Sequence, residues 1–293
     1  MESVLTSLKS LDLKNSTIED VREHLNQLPI PYTTVPIKEG VYILRARRGK
    51  GFTKRKDMTY RPASECTDYQ RASLPFETVF YGVISDEQSK QEYARAIVAA
   101  ECSHFVHYDM NLSGRETMCV SYWEVTKPLN IASFITTSTF ADIKGNKILS
   151  QLRNIYAKKF GITDNPVITE IAEFIGSEFS KENISHNSLE YLITACLASE
   201  IMKIPGIDGI VYPSVPCRGQ GGLNIALTPE TVDSKLLFKR IVEQTTYRHA
   251  GTSIVRIERY TEKGVTKEGL QVTDKQIENI LNIKDINALK QIP

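Results

Sequence analysis

Residues 206–227, GIDGIVYPSVPCRGQGGLNIAL, constrain the fold more than any other stretch of the chain. Short apolar segments at 210–212 and 224–227 have the composition of buried strands. Between them the chain breaks at Pro213 and Ser214 and then passes through Gly219, Gly221 and Gly222. Because loops carried on a rigid scaffold often hold binding residues, this stretch predicts a ligand loop held by a sheet.

The composition is that of a globular protein without a strong overall charge. The chain has 293 residues, 41% of them hydrophobic, with 36 Lys and Arg against 35 Asp and Glu. The net charge of +1 predicts neither direct nucleic-acid binding nor attachment to an anionic membrane. No apolar run reaches the length of about 18 residues that a membrane helix needs. The first residues also lack the pattern of a secretory signal, so we expect a cytoplasmic protein.

The cysteines are odd in number and lack CxxC spacing: they are Cys66, Cys102, Cys119, Cys196 and Cys217. This usage predicts reduced thiols, with neither a disulfide framework nor a zinc site. Cys102, His104 and His107 are close in sequence, but on a helix they do not share the i, i+4 face of a two-ligand site. We therefore expect no bound metal.

Hydrophobic periodicity predicts an α+β fold. Apolar residues at three- and four-residue steps predict helices over 4–8, 18–28, 89–105, 142–160, 165–179, 188–203 and 234–242. Alternating or continuous apolar runs predict further strands over 40–47, 78–83, 118–125 and 253–260. Pro29, Pro31 and Pro36 predict an exposed connector. We expect a helical extension over 1–37, a main domain over 38–262 and a polar, partly helical tail over 263–293.

Two arginines lie on the first strand of the main domain. Side chains repeat every two residues along a strand, so Arg45 and Arg47 are expected on one face. The run that follows, RRGKGFTKRKDMTYR over 47–61, is strongly basic. A run of this kind is typical of a solvated loop, with a nucleic-acid patch as the less favoured interpretation and a phosphate-binding lid as another.

A glutamate interrupts the apolar face of the predicted helix over 89–105. Ala94, Ile97, Val98, Glu101 and Phe105 share one face at helical spacing. A carboxylate on such a face is costly unless it has a partner. Glu101 is therefore either a helix-end residue that reaches solvent or a functional carboxylate.

The motifs of common enzyme families are missing. The chain has no GxSxG elbow, Walker A motif or GxGxxG fingerprint. What remains is a set of strand and turn arginines, one glutamate on an apolar face, and Ser214 in a glycine-flanked loop. Arginines bind phosphate oxygens and a carboxylate stabilises a developing cation. Together these residue types suit the binding of a pyrophosphate and a ribose whose glycosidic bond is broken.

The chain resembles the RES-domain family, which is named after Arg, Glu and Ser. The matching segments span about residues 40–228 and read VYILRAR, QRASLPFETVFYG, ARAIVAAE, SLEYLITACLASEI and GIDGIVYPSVPCRGQGGLNIAL. The resemblance assigns Arg45 and Arg71 as arginines, with Arg47 fitting the first position equally well, and Glu101 as the glutamate. It departs from the family at Arg71, which follows Gln70 here instead of a glycine.

The resemblance also implies a fold, an activity and a partner. The fold would be similar to ADP-ribosyltransferases, with a mixed, split sheet and flanking helices. The activity would be that of a bacterial toxin that degrades NAD by phosphorolysis or hydrolysis. Inorganic phosphate would be a co-substrate in the case of phosphorolysis. No resident cofactor would be needed, and an Xre-like antitoxin protein would restrain the enzyme.

Under this interpretation Glu101, Arg45 and Arg71 would be catalytic, with Glu101 stabilising the ribose cation and the arginines holding the pyrophosphate or an incoming phosphate. Residues implied to bind NAD are Arg47, Tyr81, Tyr212, Ser214, Gly221 and Asn224. Two alternatives remain open. The chain could transfer ADP-ribose to a protein or nucleic acid, or it could be a non-catalytic binding module.

Overall fold

The computed structural model describes residues 1–85, 91–103, 114–134, 147–160, 166–181, 188–216, 222–248, 256–266 and 269–273. Helices and mostly antiparallel strands are mixed along the chain, which confirms the predicted α+β class. The chain forms two compact units, each assembled from three separate segments. Unit 1 comprises Met1–Lys38, Tyr60–Tyr81 and Lys127–Lys235, and unit 2 comprises Glu39–Thr59, Gly82–Thr126 and Leu236–Pro293.

The described helices are α1 (Glu2–Lys9), α2 (Ile18–Asn26), α3 (Arg55–Met58), α4 (Gln91–Cys102), α5 (Lys147–Phe160), α6 (Pro166–Glu178), α7 (Leu192–Met202) and α8 (Pro229–Lys235). The described strands are β1 (Thr33–Ile37), β2 (Tyr42–Arg48), β3 (Phe80–Ser85), β4 (Gly114–Val125), β5 (Leu129–Ser133), β6 (Gly209–Pro213), β7 (Leu223–Leu227), β8 (Leu236–Arg248), β9 (Arg256–Thr266) and β10 (Gly269–Thr273). Single 3₁₀ turns cover Ala63–Glu65 and Leu189–Tyr191.

Unit 1 has a sheet in the order β1-β5-β6-β7. β5 and β6 run parallel, and the other two pairs are antiparallel. Both β6 and β7 are buried at every position, as predicted for the two strands around the glycine-rich break. The core of this unit also takes the apolar faces of α1, α2, α6 and α7. Thr17 precedes α2 as its N-cap and forms a capping box with Asp20.

Unit 2 has a sheet in the order β3-β2-β4-β8-β9-β10. Every pair in it is antiparallel. The longest ladder joins β4 to β8 and contains a bulge between Tyr122 and Trp123. α4 contacts β2 and β4, and its Ile97 and Val98 are buried. This packing places the end of α4 beside the arginine-bearing strand.

Two local predictions were wrong. Residues 234–242 were expected to form a helix, but α8 ends at Lys235 and β8 begins at Leu236. Pairing with β4 decides this segment, because Ile241 and Val242 are both buried in the strand. The connector containing Pro36 is in fact β1, whose alternate residues are buried. A proline is tolerated there because β1 lies at the edge of its sheet.

Candidate functional site

Arg45 and Arg47 lie on β2, and both side chains are half-buried. The backbone at Arg45 is fixed by β4, since the Ser121 hydroxyl donates to the Arg45 carbonyl oxygen at 3.1 Å. The indole Nε1 of Trp123 in turn donates to the Ser121 hydroxyl at 2.9 Å. The position of Arg45 is therefore set by a buried hydrogen-bond chain in the sheet.

Arg47 has a structural task of its own. Its guanidinium donates to the carbonyl oxygen of Asp57 in α3 and lies 5.5 Å from the centre of the Phe52 ring. These contacts hold the segment after β2 against the strand. Arg47 thus already uses part of its hydrogen-bonding capacity within the protein, which the sequence alone did not indicate.

Glu101 is half-buried near the end of α4, and this helix contacts β2. The neighbouring Cys102 thiol donates to the carbonyl oxygen of Ala46 at 3.5 Å. Burial raises the pKa of Cys102 to about 11, while the charge of Arg45 lowers it and that of Glu101 raises it. Glu101 precedes Cys102 and Arg45 precedes Ala46 in the chain, so this hydrogen bond brings the two predicted residues into one neighbourhood of unit 2.

Two further charged residues share this neighbourhood. The charges of Arg48 and Glu116 also act on the Cys102 thiol, and these two side chains are 4.0 Å apart. Glu116 belongs to β4, and only 12% of its side chain is exposed. The sequence singled out neither residue, because a glutamate near the start of a strand carries no local signal of function.

In unit 1, Arg71 lies in a tight turn. Gln70 and Ser73 exchange backbone hydrogen bonds of 2.9 and 3.2 Å across it. The Arg71 guanidinium donates to the carbonyl oxygens of Phe179 and Lys181 at 2.8 and 3.0 Å. These carbonyls follow the end of α6, where a cation is favourable for the helix dipole.

Tyr191 and Tyr81 complete the surroundings of this turn. The Tyr191 ring lies 4.8 Å from the Arg71 guanidinium, and its hydroxyl accepts a hydrogen bond from it at 3.3 Å. The Tyr81 hydroxyl accepts from the Ala72 backbone N–H at 3.2 Å and bonds the Ser73 hydroxyl at 2.9 Å. Tyr81 thus fixes the turn with its hydroxyl, while its half-buried side chain packs against the core of unit 1.

Tyr212, Ser214 and Asn224 are all buried in the same unit. Asn224 lies opposite Tyr212 in the β6–β7 ladder, so their side chains share a face. The Ser214 backbone N–H donates to the Gly222 carbonyl oxygen at 2.8 Å, which extends the pairing beyond β6. The predicted Gly221 lies outside the described residues.

Phe179 links this face to the turn of Arg71. Its ring centre is 5.8 Å from that of Tyr212, and its carbonyl oxygen accepts from Arg71. The predicted residues of unit 1 therefore fall into two groups that touch the same phenylalanine. One group is the turn with Arg71 and Tyr81, and the other is the sheet face with Tyr212 and Asn224.

Glu178 was missed by the sequence reasoning. It is 6% exposed at the end of α6 and pairs with Lys181 at 2.5 Å. Burial raises its pKa, although Lys181 and Arg71 oppose the shift. A signal did exist, because Glu178 lies three and seven residues after Ile175 and Ile171 and so falls on the apolar stripe of the helix.

No family model matches the chain, and neither does any curated protein. The described residues contain no cluster of three or more His, Cys, Asp or Glu suited to a metal ion. His104 and His107, which raised that question in the sequence, lie outside the described residues. Among the described helices, none combines the length and apolar character required to cross a membrane.

Proposed function

We propose that the chain cleaves the bond between nicotinamide and ribose in NAD, by phosphorolysis or hydrolysis. One observation supports this above all: the Cys102 thiol donates to the Ala46 carbonyl oxygen at 3.5 Å, so Glu101 and Arg45, the chain neighbours of these two residues, lie in the same part of unit 2. An arginine beside a carboxylate suits a substrate that combines phosphate groups with a transition state of positive charge on the sugar. The resemblance to the RES-domain family supports the same function.

The chemistry requires little from the protein apart from electrostatics. As the bond from the ribose carbon to the nicotinamide nitrogen breaks, its electron pair moves to the nitrogen and leaves nicotinamide neutral. Positive charge then develops on the ribose, which the Glu101 carboxylate would stabilise. An oxygen of water or of inorganic phosphate forms the new bond to the ribose carbon, and an attacking water releases its proton to solvent, because the departing nicotinamide takes none. Arg45 or Arg47 would bind phosphate oxygens through the planar guanidinium.

The residues of unit 1 enter the proposal as predicted ligand-binding groups. Arg71 would bind phosphate, Tyr81 would stack on a ring, and Ser214 and Asn224 would hydrogen-bond a ribose or an amide. We also propose the finer ADP-ribosyltransferase-like identity of the α+β fold. In the cell the enzyme would deplete cytoplasmic NAD as a toxin, and an Xre-like antitoxin protein would restrain it.

The decisive experiment is incubation of the purified protein with NAD, with and without inorganic phosphate, followed by mass spectrometry of the products. We expect free nicotinamide together with ADP-ribose or its 1″-phosphate. Glu101→Gln should lower the turnover of NAD by at least about 100-fold, because it removes the charge that stabilises the transition state. ADP-ribose attached to a macromolecule would instead support the transferase alternative.

Glu116→Gln is the matched control. Its carboxylate acts on the same thiol as that of Glu101, so both variants remove one charge from one neighbourhood. Glu116→Gln should keep most of the turnover of NAD. Equal losses in the two variants would mean that the net charge around Cys102 matters more than the Glu101 carboxylate. Intact wild-type protein that neither binds nor consumes NAD would overturn the proposal and favour a binding module.

A further inference from the structure

The segment that runs from Arg45 in β2 to Thr59, just after α3, is strongly basic. Residues 45–59 contain seven Lys and Arg but one acid, a net charge of +6, whereas the whole chain carries +1. The remainder of the chain therefore carries −5. Five of the cations are exposed and form what we call the basic surface: Arg48, Lys50, Lys54, Arg55 and Lys56.

Among the described residues, the carboxylates that face this segment make no ion pair with the three lysines of the basic surface. Asp57, its own acid, accepts hydrogen bonds from the backbone N–H groups of Thr53 and Lys54 at 3.3 and 3.0 Å. Glu243 of β8 accepts from the Gly51 N–H at 2.8 Å. Glu116 of β4 approaches Arg48 alone, at 4.0 Å.

The three lysines of the basic surface are left available to a partner. Within the part of the chain that the structure describes, Lys50, Lys54 and Lys56 make no ion pair. Exposed ammonium groups of this kind are hydrated in the free protein and can exchange water for a carboxylate at low cost.

The segment is fastened to the sheet in several places. The Gly49 N–H donates to the Thr117 carbonyl oxygen at 2.8 Å, and Met58 is fully buried. The Arg55 guanidinium lies 5.3 Å from the centre of the buried Trp123 ring. A basic run whose only role is to keep a loop in solvent does not need these contacts with the sheet. These contacts hold the backbone that carries the cations in a fixed arrangement, which lowers the entropic cost of ordering the segment when a partner binds.

We propose that the basic surface binds an acidic segment of another protein. The patch spans about nine residues, which fits a short peptide. A long nucleic acid would also cross the remainder of the chain, whose net charge is −5. Charges attract within a Debye length of about 8 Å at physiological salt, so a short acidic segment gains from the surface without that repulsion. The Lys-rich composition suits single carboxylates, which need no planar fork.

The test measures fluorescence anisotropy of a labelled Asp- and Glu-rich peptide of about 12 residues at about 50 mM NaCl. Lys50→Gln, Lys54→Gln and Lys56→Gln are combined in one variant. We expect it to bind the peptide at least about tenfold more weakly than the wild type, and we expect wild-type binding to weaken steeply toward about 300 mM NaCl. A peptide of Gly and Ser of the same length should not bind.

The matched control combines Lys14→Gln, Lys38→Gln and Lys127→Gln, three exposed lysines outside the basic surface, so that both variants lose three charges. The control variant should bind the acidic peptide within about twofold of the wild type. Equal weakening in both variants, or no binding by the wild type, would overturn the proposal. So would tighter binding of a single-stranded oligonucleotide of equal charge. Circular dichroism verifies that each variant is folded, and the readout does not depend on turnover of NAD.

Discussion

Two glutamates of unit 1 illustrate how burial and pairing compete at a single residue. Glu178 is 6% exposed, and burial raises its pKa in spite of the neighbouring Lys181. Glu200 is more exposed, and the hydrogen bond from Lys203 is the main cause of its lowered pKa, with Arg22 adding to the effect. The two carboxylates should therefore change stability with pH in opposite directions.

Glu178→Gln and Glu200→Gln test this difference. A raised folded pKa means that the stability associated with the Glu178 proton is present below pH 4.5 and is lost as the pH rises through the folded value. Glu178→Gln should therefore remove part of the decline in the urea midpoint between about pH 4 and pH 7. For Glu200 the associated stability is present above pH 4.5 and is lost as the pH falls through the folded pKa. Glu200→Gln should therefore remove part of the increase in the urea midpoint that accompanies rising pH below pH 4.5. The same change in both variants would contradict the assignment.

At the scale of elements, the pairing of β6 with β7 depends on one glycine. A Cβ at Gly209 would lie 2.2 Å from the carbonyl oxygen of Ala226 in the opposite strand. The nearest atom belongs to the backbone, which cannot move aside as a side chain can, and the Leu227 Cδ2 methyl also lies 2.8 Å from this Cβ position. Gly206, three residues earlier, has a φ of +86° but nothing within 4 Å of its Cβ position. One glycine is needed for space and the other for backbone conformation.

Gly209→Ala should lower the free energy of unfolding by about 2–3 kcal/mol, because the two strands must separate to admit the methyl group. Gly206→Ala should cost about 1 kcal/mol from its backbone conformation alone. Urea unfolding followed by circular dichroism measures both values. A loss at Gly209 no larger than that at Gly206 would show that the ladder yields easily at this point.

The sequence predicted elements well where local pattern and tertiary packing agree. The helices α1, α2, α6 and α7 have apolar stripes that match their buried faces. The apolar run of β6 is likewise visible in the sequence without knowledge of its partner strands. It failed at β8, where the partner strand decides the conformation. The neighbourhood of Arg45 and Glu101 was expected from the resemblance. The pairing of Glu178 with Lys181 and the hydrogen bond from Arg47 to the Asp57 carbonyl oxygen depend on contacts that the spacing of apolar residues does not indicate.

At the scale of the whole molecule, the two units are not divided by a single boundary in the sequence. Each unit is built from three segments, and the first segment of unit 1 ends at Lys38. The predicted division at residues 37 and 262 stays a prediction. The N-terminal segment nevertheless contributes to the core of unit 1, because it buries Leu5, Leu8, Val21 and Leu25 there.

Deletion of residues 1–37 should prevent unit 1 from folding. Each large apolar side chain that becomes unavailable to the core contributes about 1.5–3 kcal/mol, and a typical domain has only about 5–15 kcal/mol in total. The yield of soluble protein and the dispersion of amide signals in NMR spectra measure the outcome. Leu5→Ala should destabilise the full chain, while Leu237→Ala, at a position that is 48% exposed, should be nearly neutral. A truncated protein as stable as the full chain would show that the segment is a true appendage.

By itself the sequence determined the α+β class, the strands on both sides of the glycine-rich stretch, the main helices and the residue types of the candidate site. Periodicity and turn chemistry are local, and a single chain displays them directly. Only the tertiary structure decided that Arg71 anchors the end of α6, that Cys102, next to Glu101, contacts β2 beside Arg45, and that the lysines after β2 belong to one surface. These facts follow from which strands pair and which helix packs on them. Pairing joins residues far apart in the sequence, so no local pattern can specify it.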